Sequence, residues 1–446
     1  MNNIRDFGAM GDGVTLDTHA IQQAIDAGGI VFFPPGIYLT GTIYLKSGGG
    51  LHLEAGAVLK ASSDPKDYNP DDFVPQNHVF SEEQVSGAHL IAAVEQNNIV
   101  LSGNGRIDGN RQSFYGDPTE ASPEPTDERF DLGNCWRPGQ MIYLCECTNI
   151  QIRDLQFYNA PYWTCFLHGC EDVTISGLRI LNDSRSRQGD GLDIDCCRRV
   201  TVNNCIIDTG DDCITLRGNN LPLKKSRNCE YITISNCVLH SRCHAIRIGV
   251  GNGIVRRAAF SNIVIHDSWS AVTITSNFST DPADGVQIED ISFCNLQGNA
   301  HSFFIILSRA KEFAPFLPQK EIRHISFRQI RGAFDQHNCI CGCAGTGISD
   351  ITFEDMELTC IGSTQPHSSQ HKEPFYETSP MQSDGGIFLI HAADISFRHV
   401  RLRWPESTAS GWKYGIISYN CQSIETECCR LGKTSLFEDR LIHAHI

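Results

Sequence analysis

Several features are scarce or missing in these 446 residues. No stretch of about 18 consecutive apolar residues occurs, which argues against a helical membrane span. No run of lysines and arginines stands out. Lys plus Arg number 36 against 52 Asp plus Glu, a formal charge of −16. Such a chain lacks the basic footprint that nucleic acid attracts. The N-terminus, MNNIRDFGAMGDG, has no basic segment and no apolar one, so a secretory signal is not expected there. The L-x-x-L-x-L frame of leucine-rich repeats is also absent. Cysteine, by contrast, is abundant, with 20 residues. Without a secretory signal these read as free thiols, and the chain as cytoplasmic.

What the chain has is a repeated phrase. NIVLSGNGRIDG begins it near Ile99, followed by NIQIRDLQF, VTISGLRI, VTVNNCII, ITISNCVL, AAFSNIVI, ISFCNLQG, ISFRQIRG, ITFEDMEL and ISFRHVRL. Most intervals are roughly 23–34 residues. Each phrase alternates apolar and polar residues, the period of a half-buried strand, and Gly, Asn and Asp punctuate the gaps. Short strands at this spacing predict an all-β solenoid, a right-handed single-stranded parallel β-helix of about ten coils. A β-propeller would need longer blades.

Aligning the phrases gives an inward column of Leu155, Leu178, Cys205, Cys237, Ile263, Leu296, Ile330, Met356 and Val400. The two cysteines stand where other coils place aliphatic residues, so they read as small buried hydrophobes rather than redox groups. Near the start, Ala20, Ile21, Ala24 and Ile25 have helical spacing, with Asp17 and Thr18 before them and Gly28–Gly29 after. This helix is expected to plug the open end of the solenoid. The whole chain reads as one domain, with a cap over about 1–60, central coils over about 140–280 and C-terminal coils over 281–446. Residues 61–85, 110–135 and 361–383 read as loops.

The carboxylates stand out against this pattern. Registering DGLDI (190–194) on DCITL (212–216) puts Leu192 on Ile214 and Ile194 on Leu216. Asp190 then stacks on Asp212, with Asp211 just before it. HAIRI (244–248) brings His244 into the same column. A solvated turn column would explain one Asp. Three repel one another, and one should then keep its proton near neutral pH, the condition for a general acid.

These segments resemble glycoside hydrolase family 28, the polygalacturonases, in the pectin-lyase-like β-helix superfamily. DGLDI resembles the family's N-T-D-G-x-D segment, DTGDDCITLRG its G-D-D-C segment and CHAIRIG its G-H-G-x-x-I-G segment. RDFGAMGDGVTLDTHAIQQAID, GNGRIDGN and APYWTCFLHGCEDVTI resemble earlier coils. The likeness runs from about residue 3 to 280. It implies an inverting hydrolase of pectin-derived, galacturonate- or rhamnogalacturonan-containing saccharides. Asp211 resembles the general acid, Asp190 and Asp212 the carboxylates that activate water, and His244 the histidine supporting the acid. No metal or other cofactor is implied, and the expected partner is an oligosaccharide or polysaccharide.

The chain departs from the family at its Arg-x-Lys motif, which binds the substrate carboxylate. Here that coil reads SAVTITS, with Thr273 and Thr275 in those places. Arg247, in the outward column before Thr273, is a candidate replacement cation, or else an exposed Arg paired with Asp193. Asp193, Arg217, Thr273 and Thr275 join Arg247 as candidate substrate-binding residues, with Lys224 and Lys225 at the cleft edge. HNCICGC (337–343) alternates His337, Cys339, Cys341 and Cys343. Zinc sites prefer ligands gathered by turns, so inward or stacked thiols are expected instead. A glycosidase for a different glycan and a non-catalytic, tailspike-like carbohydrate-binding β-helix are the competing functions. A lyase fits less well, because its base is an Arg or Lys. Short, exo-attacked oligosaccharides suit a cytoplasmic enzyme.

Overall fold

The computed structural model describes the chain apart from residues 81–82, 84, 116–135, 277–284, 309–319, 343–346, 363–384, 410 and 439–446. Cys343 and most of the expected loops at 110–135 and 361–383 lie outside the described residues. The contacts fall into two compact units. The first comprises Met1–Thr215 with Asn220–Thr233, and the second Leu216–Asn219 with Ile234–Ile446. In each, the strands run parallel from coil to coil and build the walls of a β-helix.

In the first unit, one wall stacks Asn97–Gly103, Thr148–Arg153, Glu171–Ser176 and Arg198–Asn203. The period-2 alternation turns Ile99, Ile150, Val173 and Val200 inward in one register column. Leu101, Ile152, Ile175 and Val202 form the next, and all eight are buried. Each coil thus covers the apolar edge of its neighbour. Leu155, Leu178 and Cys205 are buried as expected, and Cys205 is a free thiol that donates to the Asn203 carbonyl at 3.3 Å.

The second unit repeats the plan with aromatic residues. Phe260, Phe293, Phe327, Phe353 and Phe397 occupy one column, with successive ring centroids 4.9, 4.7, 5.0 and 5.1 Å apart. Those spacings are close to the strand-to-strand distance, so neighbouring rings stack. Cys237, a free thiol, Ile263, Leu296, Ile330, Met356 and Val400 are buried, as the repeat alignment predicts.

The polar punctuation has a conformational cause. Asn236, Asn262, Asn295, Gln329 and Asp355 all have φ between 53° and 57°, the left-handed region. In the first unit Asp154, Gly177 and Asn204 are also left-handed, with φ of 63°, 67° and 56°. Gly, Asn and Asp adopt this conformation at least cost. The side chain of Asn262 donates to Asn236 at 3.2 Å and accepts from Asn295 at 2.9 Å, so the corner also carries a hydrogen-bonded ladder.

The helix spans Thr18–Asp26 and buries Ile21, Ala24 and Ile25. Its Gln22 side chain donates to the Tyr44 carbonyl at 3.1 Å and accepts from the Tyr44 amide at 2.9 Å. Among the described residues the strand of Tyr44 pairs with Ile91–Val94 on one side only, and Gln22 satisfies its other edge. Asp17 does not cap the helix with its side chain. Its carboxylate instead accepts from the amides of Met10 and Gly11, which tie down the preceding turn.

At HNCIC the thiols are stacked between neighbouring coils rather than turned inward. Asn338 and Ile340 are fully buried, and Asn338 accepts from the amides of Phe303 and Phe304. Cys339 and Cys341 lie on the other face, in a separate apolar cluster with Leu307, Phe388, Ile390 and Ile417. Burial lowers the His337 imidazole to about 4. The two thiols are thus packed hydrophobes, but not members of the inward column.

Candidate active site

The carboxylates belong to the first unit. The Cys165 amide donates to the Gly191 carbonyl, which goes with the pairing of Cys165 and Leu192. One coil on, the amides of Gly191 and Leu192 donate to the carbonyls of Asp212 and Cys213 at 2.8 and 2.9 Å. The same offset sets Leu192 opposite Ile214 and Asp190 opposite Asp212. The register read from DGLDI and DCITL therefore holds.

Two glycines make this stacking possible. A Cβ on Gly191 would lie 2.5 Å from the Cys213 carbonyl oxygen, and one on Gly210 would strike the backbone of Ser186. The word Asp-Gly…Gly-Asp-Asp is thus steric as well as chemical. Asp190 and Asp212 are each 2% exposed, whereas Asp211 is only partly buried and the Thr209 hydroxyl donates to its carbonyl at 2.6 Å. Asp193 is 0% exposed and pairs in register with Phe166.

The segment that delivers Asp190 is clamped from both ends. Arg111 donates through Nε to the Ser186 hydroxyl and through Nη1 to the Asp183 carboxylate at 3.5 Å. The Arg185 guanidinium, foremost, holds the Asp183 carboxyl down at about 2. Arg137, 3% exposed, donates from Nη1 to the carbonyls of Pro161 and Arg187, and from Nη2 to Glu83 O and to Gln188 Oε1. No periodicity marks either arginine in the sequence. Their only signal is their place at the rims of a Pro- and acid-rich insertion.

The second unit holds His244, Arg247, Thr273, Thr275 and Arg217. Strand His244–Gly251 pairs with Ile254–Thr275, setting His244 opposite Ser270 and Arg247 opposite Thr273, as the sequence register requires. Arg217 and Arg247 are each 8% exposed. Thr273 and Thr275 are 3% and 1% exposed, as closed off as Asp190 and Asp212, and Thr273 faces the imidazole of His244 at 3.0 Å. Of the cleft-edge lysines, Lys224 pairs with Glu95 at 2.5 Å and the main-chain amide of Lys225 donates to Glu146, so this loop is pinned within the first unit.

The profile of glycosyl hydrolases family 28 matches residues 73–375. A "Probable polygalacturonase" of Vitis vinifera is 30% identical over 48% of this chain, which spans 43% of that protein's length. An "Exo-poly-alpha-D-galacturonosidase" of Dickeya chrysanthemi is 28% identical, with 93% of this chain and 73% of that protein covered. Among solved structures, the family 28 exopolygalacturonase of Yersinia enterocolitica superposes with a TM-score of 0.69 at 20% identity, covering 95% of this chain and 78% of that one. The exopolygalacturonase of Thermotoga maritima gives 0.63 at 19% identity, with 90% and 91% covered. At those identities the two structures establish the parallel β-helix fold alone.

Proposed function

We propose that this chain, which belongs to glycosyl hydrolases family 28, is an inverting hydrolase of galacturonate-containing, pectin-derived saccharides that attacks the ends of short oligosaccharides. The observation that carries this reading is the stack of Asp190 on Asp212 with the less buried Asp211 at its shoulder. Adjacent coils stand about 4.8 Å apart, and side-chain reach extends this to the roughly 6.5–9.5 Å that an inverting pair needs for an intervening water.

Asp211, the carboxyl with most access to solvent, gives its proton to the glycosidic oxygen as the bond to the anomeric carbon breaks. A water attacks that carbon from the opposite face. Asp190 and Asp212 take up the proton the water loses, and the product carries the inverted configuration. The family resemblance assigns His244 to the support of the acid. The name of the Dickeya relative favours exo action. The 18 described cysteines are free, which suits a reducing compartment, so we place the chain in the cytoplasm, acting on imported saccharides.

Arg247 is the cation we assign to the substrate carboxylate, since Thr273 and Thr275 cannot fill that role. The test is a hydrolysis screen on polygalacturonate, rhamnogalacturonan and their oligomers, with the anomer of the first product read by proton NMR. Turnover of a short uronate oligomer with inversion is expected. Retention of configuration, or binding without turnover on every saccharide, overturns the reading. Arg247→Ala should raise KM for an acidic oligomer about tenfold or more, the worth of one charged hydrogen bond, and barely change it for a neutral one. Equal damage on both substrates would remove Arg247 from uronate recognition.

A further inference from the structure

Thr273 stands where the family motif places an arginine, yet its hydroxyl is engaged. His244 Nδ1 lies 2.7 Å from Ser270 Oγ and 3.0 Å from Thr273 Oγ1, and the two hydroxyls are 2.6 Å apart. Ser270 and Thr273 are 0% and 3% exposed, so water does not compete for these groups. Residues three apart on a straight strand point to opposite faces about 10 Å from each other. The contact between these two therefore needs the chain to turn a corner. The Ser270 amide, bonded to the Cys243 carbonyl at 3.0 Å, anchors that corner to the coil that carries His244.

We infer that Ser270 and Thr273 are positioning residues that fix the ring orientation and tautomer of His244. This rests on the reading of His244 as the support of the general acid. The tautomer assigned is the one that uses every proton locally: one hydroxyl donates to the Nδ1 lone pair, the other donates to that hydroxyl's oxygen, and the neutral ring carries its own proton on Nε2. A ring protonated on Nδ1 would instead send one hydroxyl proton to an acceptor outside the triangle. An arginine at position 273 could only donate, with no freedom to exchange roles. On this reading position 273 supports the histidine, and the substrate carboxylate falls to Arg247.

The test combines spectroscopy and kinetics on the full chain. In protein labelled with ¹⁵N-histidine, His244 is assigned by its loss in His244→Gln. The neutral ring should show an unprotonated Nδ1 and a protonated Nε2. Thr273→Val, which keeps the shape but loses the hydroxyl, and Ser270→Ala should each raise the population of the other tautomer, because a hydroxyl left alone is free to accept from Nδ1–H as well as to donate to Nδ1. Each should lower kcat about fivefold to tenfold with KM little changed. Thr273→Ser should restore both. A wild-type ring protonated on Nδ1 overturns the inference, as does Thr273→Val with wild-type tautomer and kcat. If the wild type hydrolyses no uronate saccharide while the Nε2–H tautomer is found, the functional reading fails and the hydroxyl clamp stands.

Discussion

Asp211→Asn should lower kcat by about 10²–10⁴-fold, the usual contribution of a general acid, and leave the unfolding midpoint near that of the wild type. The substitution keeps the shape and removes only the transferable proton. Asp211 is the one member of the carboxylate cluster with appreciable solvent contact, and its main chain is held by the Thr209 hydroxyl, which the change does not touch. Stability and turnover therefore separate at this position. An activated substrate whose leaving group needs no proton, such as an aryl glycoside, should recover most of the lost rate. Near-normal turnover of the natural linkage by Asp211→Asn, or no recovery on the aryl glycoside, would transfer the acid's role to another residue.

Arg137→Met should fail in the opposite way, through stability. The guanidinium is 3% exposed and pairs with no carboxylate among the described residues. Its donors meet the Tyr115 hydroxyl at 2.8 Å, the Gln188 amide oxygen at 2.6 Å and three main-chain carbonyls, those of Glu83, Pro161 and Arg187. It also lies 5.0 Å over the ring of Tyr162. Methionine fills much of the space but strands the carbonyls, each at about 1–3 kcal/mol, so the loss should be about 3–5 kcal/mol by urea unfolding. Because Arg187 and Gln188 lead directly to Asp190, the folded fraction should also turn over more slowly. Arg137→Lys keeps the charge but loses the planar fork, and should fall between the two. A Met variant as stable as the wild type would show that water replaces the guanidinium.

How far the sequence disclosed these features follows from what each depends on. Asp190 over Asp212 was legible because two periods, one within the strand and one between coils, leave a single register. The helix at Thr18–Asp26 was legible from its apolar spacing, whereas Asp17 was not, since a carboxylate before a helix can bond forward or backward. The face chosen by Cys339 turned on Asn338, a polar residue that enters the core because two amides there need an acceptor. Arg111 and Arg137 act across more than 50 positions of sequence from irregular segments, where spacing carries no information. Lys224 offered charge, but its partner Glu95 lies on a distant coil.

The glycines at 191 and 210 bear on how tolerance to mutation would be mapped. In a library scored for growth alone, positions 190, 191, 210, 211 and 212 should form one intolerant block. Scored separately for abundance and for turnover per molecule, the block should split. Any side chain at Gly191 or Gly210 meets main chain of the neighbouring coil, so those variants vanish from the soluble pool. Amide replacements of the aspartates should remain in it and stay silent. Glycine variants that accumulated to wild-type levels would mean that the coils can part locally, and that close stacking is a preference of this segment rather than a requirement.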